Sequence, residues 1–137
     1  MVNSEAILRD SVVTNLLFFK SRCLGTHATT VQGWCDNRNF AVRREIEDYC
    51  RTRVEEIVRR LDPSRILVLG LATWDKVAEG EINRVTRRTR TSGRLAVTGA
   101  VFDRSALGII HPTGARIGEY EFHVLGSFLH DFLISRQ

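Results

Sequence analysis

Apolar positions recur at three- and four-residue spacing over residues 41–61, where Val42, Ile46, Cys50, Val54, Ile57, Val58 and Leu61 fall on one helical face. Arg43, Arg44, Glu47, Glu55 and Arg59 fall largely on the opposite face. Pro63 ends this predicted helix, because the residue before a proline avoids the helical region. The same period returns over 119–134, with Phe122, Leu125, Phe128, Leu129 and Phe132 as the predicted buried face. Elsewhere the pattern shifts to short continuous apolar runs of strand length. Val12–Phe19 is such a run, with Asn15 its one strongly polar side chain, and residues 65–71 are another. A buried run that follows a helix predicts an interior parallel strand, so 12–71 reads as one right-handed β–α–β unit.

The remaining segments are read from their turn residues. Residues 4–10 predict a short helix capped by Ser4, and 20–40, with Gly25 and Gly33, a long loop. Thr73 is placed to cap a short helix, TWDKVAEG. Residues 84–94 carry five arginines and no acid, and read as a mobile basic loop. The runs 95–102 and 106–110, joined by Asp103-Arg104-Ser105, predict a tight antiparallel hairpin. The expected fold is α/β: one domain over 1–137, three layers, helices on both faces of a small, mostly parallel sheet.

Composition narrows the class. The chain has 137 residues, 43% hydrophobic and 26% charged, which excludes disorder as the main state. No apolar run is long enough to span a bilayer, and the N-terminus lacks a signal-peptide pattern, so a soluble cytoplasmic protein is expected, with no membrane partner. The net charge is +4, and the cations are eighteen arginines against two lysines. Arginine binds phosphate with a planar fork, so the skew suits a polyanion such as DNA; codon bias and a solvated surface fit it equally well. Cys23, Cys35 and Cys50 are odd in number and lack CxxC spacing, which points to reduced thiols. His27, His123 and His130 have no metal-like spacing, so no metal is expected.

Four features could carry chemistry. The run 106–110 feeds into His111-Pro112-Thr113-Gly114-Ala115-Arg116, which puts an imidazole at a strand end before a stiff turn. Ligands of open α/β sheets bind beyond the carboxyl ends of strands. There the Thr113 hydroxyl and nearby amides could hold a phosphate, with Arg116 in reach of the next; a histidine that merely bonds a loop carbonyl is the plainer alternative. Asn15 must find partners, since an unpaired buried amide costs roughly 1–3 kcal/mol. It could read a base edge or tie down a loop. Arg87, Arg88 and Arg90 of the basic segment could clamp phosphates or simply be solvated. Gly70-Leu71-Ala72-Thr73, from strand to helix N-terminus, is a weaker anion signal. Trp74 reads as core, and Trp34 as better placed to stack on a ligand.

Taken in order, VTNLLFFKSR, DNRNF, EIEDYCRTRVEEIVRRLDPSRILVLGLATW and GIIHPTGAR resemble the uracil-DNA glycosylase superfamily, most closely its bacterial and archaeal iron–sulfur branch. The matching positions are Thr14-Asn15, Asn37-Arg38, Glu45 with Cys50, Pro63 through Gly70, and His111-Pro112-Thr113 with Arg116, within a resemblance covering 12–133. The resemblance implies that Asn15 reads a flipped uracil, that His111 stabilises charge developing on the base, and that Thr113 and Arg116 grip phosphates. The family's Gly-rich acidic motif, which places the attacking water, has no counterpart among the residues before Val12. The strands at 12–19 and 66–71 are then expected to pair directly, or a second chain to complete the sheet in an oligomer. Only Cys50 matches a cluster-ligand position, and Phe19 stands where a second would be, so no iron–sulfur cluster or other cofactor is expected. Two functions follow as expectations: a DNA-repair hydrolase that cleaves the N-glycosidic bond of a flipped uracil, or a non-catalytic module that reuses the fold to bind nucleic acid or a protein, in the last case through the loop at 20–40.

Overall fold

The computed structural model describes residues 6, 9–14, 40–89, 93–113 and 116–134. They fall in two compact units, residues 3–62 and residues from Pro63 onward. The expected strand Val12–Phe19 lies outside the described residues from Asn15 on. Val12, Val13 and Thr14 themselves are exposed and outside regular structure. Most of the predicted helix at 4–10, the loop at 20–39, Cys23, Trp34, Cys35, Asn37 and Arg38 also lie outside the described residues.

In the first unit, helix α1 (Phe40–Leu61) follows the predicted periodicity. Cys50 and Val54 are buried and Ile46, Ile57 and Val58 half-buried, whereas Leu61, expected on the same face, is exposed. Its outer face is held by ion pairs one turn apart: Arg59 Nη2 lies 2.8 Å from Glu55 Oε1, and Arg53 Nη1 3.0 Å from Glu56 Oε2. Such pairs contribute a few tenths of a kcal/mol each. The helix stops where Asp62 adopts φ 48°, its N–H donating to the Val58 carbonyl at 2.9 Å, ahead of Pro63.

The second unit is a four-stranded sheet between two helices. Its elements are β1 (Arg65–Leu69), α2 (Leu71–Val77), β2 (Ala78–Arg87), β3 (Arg94–Val101), β4 (Arg104–Ile109) and α3 (Glu119–Ile134). The strand order is β1-β4-β3-β2. The class is α/β, and among the described residues the sheet is mixed rather than mostly parallel: β1 and β4 are parallel, while β4–β3 and β3–β2 are antiparallel. The cause is the connections. β3 and β4 are joined by the two-residue turn Phe102–Asp103, and β2 and β3 by a short loop, and links that short join only antiparallel neighbours.

Both turn residues are left-handed, Phe102 at φ 48° and Asp103 at φ 61°, the signature of a type I′ hairpin. A non-glycine residue there costs roughly 1–2 kcal/mol. The Phe102 side chain is buried, and burying a phenyl group offsets that by a comparable amount. The turn is therefore one residue earlier than the expected link at 103–105.

Register fixes which side each residue faces. Val97 pairs with Gly108, and a Cβ at Gly108 would meet both the Val97 side chain and Trp74 of α2, so this side faces α2. Ala96 pairs with Ile109 and Thr98 with Leu107, so these occupy the opposite side, where Ala96, Leu107 and Ile109 cluster with Leu125 of α3. The unit is thus three-layered. Because α3 lies over β3 and β4, Leu67 and Leu69 of β1 remain 42% and 47% exposed, so β1 is parallel but not the fully interior strand expected.

Three local expectations are corrected. Helix α2 starts from Gly70, whose carbonyl accepts the Thr73 and Trp74 amides, with no side-chain cap from Thr73. It ends at Val77, and strand β2 takes in the supposed helix end at 78–80 and the first part of the basic segment, Arg84–Arg87. In α3, Phe122 is 66% exposed and Glu121 takes the inward position.

Gly108 is required by packing. A Cβ there would lie 2.5 Å from Trp74 Cε3 and 2.8 Å from Val97 Cγ2, both in the buried interior. Gly108→Ala is therefore expected to lower unfolding stability by roughly 1–3 kcal/mol, seen as a lower urea midpoint. Gly126 in α3 has open space at its Cβ position, and Gly126→Ala is expected to raise the midpoint by up to about 1 kcal/mol of helix propensity.

Candidate functional site

The parallel pair sets the site. Leu69 is opposite Ile109, so β1 and β4 end together, and the chain continues into Gly70 and His111 respectively. The Gly70 amide donates to the Ile109 carbonyl at 2.8 Å. A Cβ at Gly70 would lie 3.7 Å from Thr73 Oγ1 and 3.8 Å from His111 Cδ2, which measures how closely the strand exits sit. Gly70 has φ 98°, a conformation open to glycine at little cost.

The antiparallel strands bring the arginines to the same end. β3 starts there at Arg94, and Arg87 at the end of β2 pairs with it. The rim beyond the carboxyl ends of β1 and β4 therefore gathers Gly70, His111, Thr113, Arg116, Arg87, Arg88 and Arg94. The segment after His111 and the basic segment, distant in sequence, meet where Arg88 Nη2 donates to the Arg116 carbonyl.

His111 is exposed and oriented by its own turn. The Thr113 amide donates to His111 Nδ1 at 3.3 Å, and Thr113 Oγ1 lies 3.0 Å from the same nitrogen. An amide can only donate, so Nδ1 is the acceptor and the ring hydrogen sits on Nε2. Thr113, expected to hold a phosphate, thus directs its amide and hydroxyl at the imidazole. Arg116 presents an exposed side chain.

The arginines divide. Arg88, expected to bind phosphate, is instead half-buried against Glu121, with Nε 3.2 Å from Oε1 and Nη2 3.1 Å from Oε2; Nη2 also donates to the Arg116 carbonyl. Arg94 forks onto Asp75 of α2 at 2.9 and 2.6 Å. Arg87 is exposed. Arg90, Gly114, Ala115 and Asn15 lie outside the described residues, so the expected meeting of Asn15 with His111 does too. Among the described residues no group of three or more His, Cys, Asp or Glu side chains could hold a metal, and no helix is long and apolar enough to cross a membrane.

Sequence reasoning missed Glu121. It is 4% exposed and accepts four hydrogen bonds: two from Arg88, one from the Thr89 amide at 3.1 Å and one from the Gly118 amide at 3.2 Å. The last is half of a capping box, in which the third helical residue reaches back to the N-cap amide. The available signal was the Gly118-x-x-Glu121 spacing, obscured because glycine replaces the usual serine or threonine. No known protein-family model, curated protein or solved structure matches the chain.

Hydrogen bonds from Arg88, then from Gly118 and Thr89, lower the Glu121 pKa from 4.5 to about 2. A carboxyl whose pKa falls on folding adds stability that is full above its unfolded pKa and is lost on acidification. Stability should therefore decline from about pH 4.5 toward pH 2 in the native protein, and this part of the decline should be missing in Glu121→Gln. Thermal midpoints measured across that range check it, the variant giving the flatter profile.

Proposed function

We propose that the chain is a uracil-DNA glycosylase-like protein that engages DNA or a nucleobase at the rim beyond β1 and β4. One observation carries this reading: an exposed imidazole just past a parallel strand, held by Thr113 at Nδ1 so that Nε2 carries the ring hydrogen, beside Gly70 and upstream of Arg116. A neutral imidazole in that tautomer is a hydrogen-bond donor for a base carbonyl oxygen. When the C1′–N1 bond of a deoxyuridine breaks, its electron pair leaves on the base and spreads onto that oxygen, while a water oxygen bonds C1′ and its proton is lost. A preorganised donor at the oxygen is worth about 3–4 kcal/mol in such reactions. Arg116 supplies the phosphate contact that helps hold an extruded nucleotide, whose flipping costs a few kcal/mol.

The ordered motifs Thr14-Asn15, Asn37-Arg38, Pro63 to Gly70 and His111-Pro112-Thr113 support the same reading. A second reading, a nucleic-acid-binding protein without hydrolysis, is favoured by the state of the rim carboxylates: Glu121 and Asp75 are both tied up by arginines, and neither is free to activate water.

Two assays separate these. Pure protein at high concentration is expected to release free uracil from a uracil-containing oligonucleotide, and His111→Ala to abolish release while still binding. Binding of the oligonucleotide should be tightest near ~50 mM salt and weaken steeply by ~200 mM, as expected for cation–phosphate contacts. Binding without release leaves the second reading, and no binding at low salt sinks both.

A further inference from the structure

Glu121 and Arg88 form a relay that ends on the backbone of the rim. Glu121 grips Arg88 along one guanidinium edge, Nε and Nη2, and Arg88 Nη2 passes the contact on to the Arg116 carbonyl. The same carboxylate takes the Thr89 amide from the loop after β2 and the Gly118 amide from the segment that follows Arg116. One side chain thus joins the basic β2–β3 loop, the exit of the His111–Arg116 turn and the start of α3. The geometry is forked, which a point-charge ammonium cannot reproduce.

We propose that Glu121 and Arg88 are positioning residues that fix the Arg116 main chain, and so aim its guanidinium at a nucleic-acid phosphate, without touching the nucleic acid themselves. This rests on the DNA-binding reading above. It runs against plain electrostatics in two places. Glu121→Gln removes a negative charge from a basic rim, so charge alone predicts tighter DNA binding; loss of the relay predicts weaker binding. Arg88→Lys keeps the charge, so charge alone predicts no change; loss of the fork again predicts weaker binding.

The test is single-stranded uracil-containing oligonucleotide binding by the full chain across a salt series, with amide exchange on the same proteins. Glu121→Gln and Arg88→Lys are each expected to bind about fivefold or more weakly at ~50 mM salt, with a salt slope lower by about one, the mark of one lost phosphate contact. Arg116→Ala should do the same. The double variant Arg88→Lys with Arg116→Ala should be no weaker than Arg116→Ala alone, a non-additivity that general loosening of the fold would not produce. In exchange, the Thr89 and Gly118 amides should be protected in the native chain and lose protection in Glu121→Gln, while β3 and β4 stay protected. Native binding with Glu121→Gln and Arg88→Lys unchanged or tighter overturns the inference and leaves the functional reading intact. Additive losses in the double variant also overturn it. No binding by the native chain overturns the functional reading and this inference with it.

Discussion

Parallel pairing of β1 with β4 is the constraint from which the rest of the second unit follows. Parallel strands end at the same edge, so the residues just past them, Gly70 and His111, are brought side by side although 41 positions apart (111 − 70). Parallel neighbours cannot be joined by a tight turn, so the chain must travel between them, and here it does so through α2, β2 and β3. That detour has a consequence of its own. β3 enters the sheet antiparallel to β4, so its first residue, Arg94, and the last residue of β2, Arg87, arrive at the edge where His111 emerges. A single pairing direction therefore assembles a rim with an imidazole and several cations from three distant stretches.

Arginine serves two purposes in this chain, and the structure separates them. Arg94 ties α2 to the start of β3 through Asp75, and Arg88 ties the end of β2 to α3 through Glu121. Arg65 of β1 donates to the Leu133 carbonyl at 2.6 Å and lies over the Phe132 ring, and Arg84 of β2 lies 4.7 Å from the centre of the Phe128 ring. Each joins the sheet to a helix. A planar, weakly hydrated guanidinium suits this because it can fork onto a carboxylate or stack on an aromatic face, which lysine does poorly. The excess of arginine over lysine is thus partly a packing device. A count of cations overstates the charge offered to a polyanion.

Much of this was legible in the chain. Helices α1 and α3 follow from spacing, and strand β1 and the β3–β4 hairpin from short apolar runs, although Leu67 and Leu69 of β1 stay exposed. β2 was not legible: its register shifts between Glu79 and Arg84, so Ile82 and Val85 fall out of alternation and the strand reads as loop. Hydropathy ranks Phe122 inward and says nothing of Glu121, whose carboxylate can be buried because four donors satisfy it. The contact of the Thr113 hydroxyl with His111 Nδ1 is set by the turn, and sequence does not say which way a hydroxyl faces.

The exposure of His111 shapes what the site could do. A hydrogen-bond donor in open water gains little from a developing negative charge, because solvent screens it; the same donor in a dry site gains far more. The rim is open at His111, Pro112 and Thr113, so in the proposed reading the base itself must exclude the water. A base is held against the imidazole long enough to do so only if its phosphates are held as well. Orientation of His111 by Thr113 and fixing of the Arg116 backbone by Arg88 are then two halves of one requirement. The first presets the donor, and the second keeps the substrate that gives the donor its strength. An isolated nucleobase, without phosphates, should lack the second half, so affinity at this rim should reside mainly in the nucleic-acid backbone.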